Sequence, residues 1–232
     1  MKEKKMKKSG IIPRMLCIFA LLMMLASTQT VQAKDLVESG KYTYTVEKNY
    51  SSSMWKSRIY SQETGGSKQE LITINGIADL QFIYNGNLYY EADNINDETV
   101  IDLWALDIQT GETKKVVSNE TVQAQYGAYV VLMPNTGASM PLTCTVYNLK
   151  TGKSKVISKN CFEATISGKK IYYAQTFGRP SGWTYKTRIY CCSLSGTKKK
   201  AVSKYFTADY CYELTSKYVR YHRNGKNRKL TF

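Results

Sequence analysis

The side chains with most to offer chemically in this 232-residue chain are aromatic and charged rather than nucleophilic. Tyr50 and Trp55 lie close in sequence, and Phe177, Arg179, Trp183 and Tyr185 form a second group. Flat rings beside an arginine have the composition of a binding hot spot. These six residues are the candidate ligand-binding set. A polysaccharide-acting enzyme would instead need two facing carboxylates. Glu91, Asp93, Asp97, Asp102 and Glu163 are available, but the sequence brings no two of them together. His222 is the single histidine, and it has no serine or cysteine elbow to work with. P-loop, dinucleotide and HExxH motifs are missing from the sequence. The acidic stretch Asp93-Asn94-Ile95-Asn96-Asp97-Glu98 lacks the spacing of an EF-hand calcium loop. No cofactor, metal ligand or catalytic residue is therefore expected.

The start of the chain bears on where such a site would work. Lys2, Lys4, Lys5, Lys7, Lys8 and Arg14 precede Met15–Ala26, an uncharged apolar run of 12 residues. A membrane span needs roughly 20. Val31-Gln32-Ala33 follows, with small residues where a signal peptidase requires them. Residues 1–33 read as a secretory signal peptide and 34–232 as the exported product, with membrane contact only before cleavage. The exported part holds 27 Lys/Arg against 17 Asp/Glu. A basic surface outside the cell favours anionic partners such as wall polymers, acidic glycans or membrane surfaces, and the partner expected is an anionic wall polymer, a glycan or a protein ligand. The basic residues read as dispersed, and compartment adds to the case against nucleic acid.

Five cysteines remain after residue 33: Cys144, Cys161, Cys191, Cys192 and Cys211. An odd number means that at least one is unpaired or pairs between chains. Zinc-type spacing is missing, so they read as small buried hydrophobes with room for one disulfide.

The elements that must position these residues follow from an internal repeat. A turn and a tyrosine-rich strand recur at Gly40, Gly86, Gly127, Gly168 and Ser216, at spacings of 46, 41, 41 and 48 residues. A second turn recurs in phase at Gly65, Gly111, Gly152 and Gly196, at spacings of 46, 41 and 44. Each unit reads as four short strands, A to D, joined by glycine turns where φ must be positive. Lysines such as Lys114, Lys115, Lys153, Lys155, Lys198, Lys199 and Lys200 fall on or beside strand D. Lysine on an outer strand discourages edge pairing with other chains. Four-stranded units of this length, repeated, predict an all-β, propeller-like array. About five units are expected, the first and last truncated.

The Gly turn, the Tyr89-Tyr90 and Tyr172-Tyr173 strands, the Leu103-Trp104 and Ile189-Tyr190 strands and the Thr-Gly turns carry a resemblance. They resemble secreted bacterial β-propeller repeats of the YWTD lipoprotein-receptor type and, more distantly, the TolB type. The resemblance spans about residues 36–221 and implies an interaction platform. Propeller connectivity puts the A–B and C–D turns on one end of the units. The B–C segments 49–55, 93–99, 133–142 and 175–185 go to the other, and all six candidate residues fall in them. The expected function is a secreted, non-catalytic binding or scaffold protein whose B–C end meets an extracellular glycan, peptide or protein. A polysaccharide-acting enzyme and a basic wall-associated structural protein are the alternatives.

Overall fold

The computed structural model describes residues 35–51, 54–94, 97–136, 140–178 and 184–232, so the signal-peptide reading and the candidates Arg179 and Trp183 lie outside it. The described chain is antiparallel strand joined by turns. The first unit contains β1 (Leu36–Ser39), β2 (Tyr42–Ser51), β3 (Met54–Glu63) and β4 (Lys68–Asn75). The second contains β5 (Ala78–Tyr84), β6 (Asn87–Asn94), β7 (Asp97–Asp107) and β8 (Thr113–Val117). The third runs through β9 (Glu120–Tyr126), β10 (Tyr129–Pro134), β11 (Leu142–Asn148) and the first half of β12 (Lys153–Ser167). The rest of β12 opens the fourth, with β13 (Lys170–Phe177), β14 (Tyr185–Ser193), β15 (Lys200–Ala201) and β16 (Phe206–Ala208). The last has three strands, β17 (Tyr210–Leu214), β18 (Tyr218–Arg223) and β19 (Lys226–Thr231).

Local chemistry explains the turns. Asn85-Gly86 and Asn224-Gly225 each have both residues at positive φ, between 49° and 78°, the type I′ geometry that matches strand twist. At the C–D turns, Asp107 Oδ1 accepts the N–H groups of Gln109 and Thr110, each at 2.9 Å. Asn148 Oδ1 accepts the Lys150 N–H at 2.9 Å, and Ser193 Oγ accepts the Thr197 N–H at 3.1 Å. Short polar side chains that bond their own backbone in this way hold a turn without tertiary help.

The core lies between units rather than inside them. One apolar cluster joins Tyr44, Val46 and Ile59 of the first unit to Leu80, Leu88 and Tyr90 of the second. Another joins Phe82, Tyr89 and Leu103 to Val122, Val130 and Leu132. The third joins Val131, Met133 and Cys144 to Ile166, Ile171 and Tyr173, and the fourth joins Phe162, Ala174 and Ile189 to Cys211, Leu214 and Val219. A pleated sheet must cover its apolar face, and here each unit does so against the next unit in the chain, the third and fourth being joined into one sheet through β12. The five cysteines are buried and unpaired, so the room for a disulfide is not used.

Ladders in units two to five shift register on the innermost strand. The shifts fall between Leu80 and Phe82, opposite Ala124 and Val122, between Cys161 and Ala164, and between Cys211 and Glu213. A bulge bends and twists its strand, so each of these four units bends its first strand, whereas the β1–β2 ladder of the first unit runs without a shift. Among the described residues, no ladder joins the last unit to the first.

Candidate functional site

Two of the four B–C segments are shorter than the sequence suggested. Strands β2 and β3 pair as far as Ser51 opposite Met54, and β6 and β7 pair as far as Asn94 opposite Asp97. Tyr50 and Trp55 are therefore strand residues rather than loop residues, and they sit directly opposite each other. Their ring centroids are 5.1 Å apart at 54°. The pair is open to solvent, with Tyr50 62%, Trp55 42% and neighbouring Met54 48% exposed.

Phe177 and Tyr185 part company in the structure. Phe177 is opposite Lys186, so it shares a sheet face with Lys186, Arg188 and Tyr190. There it contacts Tyr190 at 6.2 Å and Tyr205 at 5.6 Å. Tyr185 is on the other face, edge-on to Phe162 at 5.3 Å, beside the core shared with the last unit. The alternation of β14 separates two residues that looked like one cluster.

A row of cations lies on the Phe177 face, a feature that strand-by-strand reading of the lysines missed. Lys186 Nζ is 4.3 Å from the Tyr205 ring centre, and the Arg188 guanidinium is 4.8 Å from the same ring. Arg188 is also 5.9 Å from Tyr190, and its Nε donates to the Ser203 carbonyl at 2.9 Å. Lys199 Nζ is 4.4 Å above Tyr190, and it donates to Gln175 Oε1 at 2.5 Å. Burial pulls the Lys199 ammonium below its ordinary value. A hint was available in the alternation Lys186, Arg188, Tyr190. The positions of Tyr205 and Lys199 depend on the turn that folds them back.

The carboxylates do different work. Asp102 is fully buried; its Oδ2 is 2.5 Å from Lys115 Nζ, and its Oδ1 accepts from Ser118 Oγ at 2.5 Å and the Asn119 N–H at 3.2 Å. Burial raises its pKa, yet the three donors together hold the carboxyl below the ordinary range. Glu91 Oε1 accepts the Val122 N–H at 2.5 Å, across the boundary to the third unit. Burial pushes the Glu91 carboxyl up to about 7 despite that bond. Asp93 Oδ2 accepts the Ile77 N–H at 3.3 Å. Half-buried Glu163 is also pushed up to about 7 by burial. Asp209 accepts from Thr184 Oγ1 at 2.7 Å and the Asn224 N–H at 2.9 Å, and meets His222 Nδ1 at 3.0 Å. Asp93, Asp102 and Asp209 thus each pin a link between successive units. A cavity of about 350 Å³ lies between β4 and the β7–β8 hairpin, with Trp104, Tyr90 and the Lys115–Asp102 pair in its wall.

Known structures with this arrangement decide the fold. The β-propeller domain of the Trilobed protease from Pyrococcus furiosus superposes with a TM-score of 0.55 at 10% identity, covering 87% of this chain and 68% of that one. The fold is a β-propeller. The Pyrococcus horikoshii acylaminoacyl peptidase is similar at a TM-score of 0.54 and 12% identity, over 84% of this chain and 36% of that one. A putative TolB from Agrobacterium tumefaciens is similar at 0.46 and 13% identity, over 73% and 62%. The propeller of this chain thus spans about a third of the length of the peptidase. No family model matches the chain, and no curated protein matches it.

Proposed function

We propose that the chain is an exported, non-catalytic binding protein whose B–C end holds an extracellular glycan, peptide or protein. The Tyr50–Trp55 pair is the observation that carries this reading. Leaving apolar surface in water costs about 25 cal/mol per Å², and two adjacent aromatic rings at a hairpin end keep that cost in the free protein. Rings placed so are good contacts for the flat face of a sugar or for an apolar peptide side chain. The engagement of Asp93 and Asp102 with links between units also favours binding over hydrolysis.

An array of neutral glycans and peptides, probed with the purified chain, tests the reading. Trp55→Ala and Tyr50→Ala are expected to weaken binding at least tenfold with little change in thermal stability. Undiminished binding by both variants overturns the assignment of the pair. Turnover of a polysaccharide by the chain moves the reading to the enzyme alternative.

A further inference from the structure

The propeller has a second surface whose chemistry differs from that of the Tyr50–Trp55 pair. Residues 160–208, the fourth unit, contain nine Lys/Arg and a single acid, Glu163. Basic residues outnumber acidic ones in each of the last three units, and the fourth holds the largest number of them. Elsewhere several lysines and arginines meet carboxylates, Lys41 with Glu63, Lys48 with Asp35 and Asp79, Lys115 with Asp102, and Arg220 with Glu213, and Lys115, Arg220 and Lys229 also lie over rings. Lys186, Arg188 and Lys199 meet aromatic rings instead. A ring face holds a cation in place without cancelling its charge.

We propose that this face of the fourth unit binds an acidic polysaccharide, through the row Lys186, Arg188 and Lys199. Their geometry suits a chain with repeated negative charges rather than a single ion. Lys186 and Arg188 are two residues apart on one strand face, about 7 Å of strand length, and Lys199 continues the row from Gln175, which is opposite Arg188. Lys186 and Arg188 share the Tyr205 ring, and Arg188 and Lys199 share the Tyr190 ring, so each cation is joined to the next through a ring. Tyr205, 47% exposed, closes the row at the B–C end. The rings are occupied: Tyr190 is stacked on Tyr173 at 5.9 Å beneath Lys199, and Tyr205 meets Phe177 edge-on beside two cations. Single-stranded nucleic acid gains affinity by stacking bases on open rings, so this row favours acidic groups over bases. An anion would also return to Lys199 the stabilisation that burial removes.

The test uses the purified chain with dextran sulfate, neutral dextran and single-stranded oligothymidine as probes. Dextran sulfate is expected to bind, with affinity falling steeply as salt rises, because counterions are released. The variant Lys186→Gln/Arg188→Gln/Lys199→Gln should bind at least tenfold more weakly and with a shallower salt dependence. Lys217→Gln/Lys226→Gln/Arg228→Gln removes the same charge from the last unit and should change binding less than twofold. Should the first triple variant melt early, Lys186→Gln and Lys199→Gln singly are each expected to weaken binding several-fold. Equal losses in both triple variants, or no binding of dextran sulfate, overturn the site. Tighter binding of oligothymidine overturns the ligand class. Trp55→Ala should leave dextran sulfate binding unchanged, so failure here and failure of the aromatic pair are read separately.

Discussion

The second and fourth units are built alike and charged oppositely. Residues 78–117 hold eight Asp/Glu and two Lys, whereas residues 160–208 hold one Glu and nine Lys/Arg. In the second unit three of the carboxylates hold the joints to neighbouring units. Asp93 and Asp102 fasten backbone N–H groups of the links before and after the unit, and Glu91 fastens the Val122 N–H of the next unit's inner strand. In the fourth unit three of the cations, Lys186, Arg188 and Lys199, rest on rings. The difference teaches that one scaffold uses charge to join its units in one place and leaves it on an outer face in another.

That comparison breaks first at Asp102. Asp102→Ala leaves Ser118, the Asn119 N–H and Lys115 without their acceptor, and is expected to cost about 2–3 kcal/mol. Urea denaturation of the variant checks this; a loss below about 0.5 kcal/mol would mean the link does not need its clip. The sign with pH follows from the lowered pKa of Asp102. Its contribution is present above the unfolded carboxyl value near 4 and is lost as pH falls through the folded one.

Glu91 and Glu163 sharpen the contrast in the opposite sense. Both carboxyls are raised to about 7 in the folded protein. The folded state then binds more protons than the unfolded one between about pH 4.5 and 7, so stability falls as pH rises through that window. Glu163→Gln should therefore melt higher than the parent at pH 8 and nearly level with it at pH 5. Equal melting shifts at the two pH values would show that Glu163 ionises freely. Glu91→Gln should follow the same direction while keeping the bond to the Val122 N–H.

Smaller effects are expected on the basic face. Raising salt from about 50 to 500 mM should lift the melting temperature slightly, because like charges on the fourth unit are screened. The lift should shrink in Lys186→Gln/Arg188→Gln/Lys199→Gln. Tyr205→Leu removes the ring beneath Lys186 and Arg188 and should cost about 0.5–1 kcal/mol in urea denaturation. A larger loss would make Tyr205 a core residue rather than a support for cations.

Much of the fold was legible because turns are local. Asn85-Gly86 needs only its own two residues to set positive φ, and Asp107 or Asn148 needs only the next few backbone N–H groups. The strands between such turns have nowhere to go but antiparallel, and so the repeat was readable from glycine spacing. The candidate site was legible in part. Tyr50 and Trp55 stood out as aromatic, but their pairing required the hairpin to extend as far as Ser51 and Met54. Phe177 and Tyr185 looked like neighbours and are not, since one residue of register puts them on opposite faces of the sheet.

By itself, then, the sequence determined the strands, the turns, the period and the unequal charge of the units, all of which depend on residues close along the chain. Only the tertiary structure decided which face each strand buries, that Asp102 closes onto Ser118 and Lys115, and that Lys199 comes to rest above Tyr190. Those contacts depend on how one pleated sheet packs against the next and on how the outer turn folds back. Both are set by the whole array of side chains at once, and no short stretch of sequence encodes them.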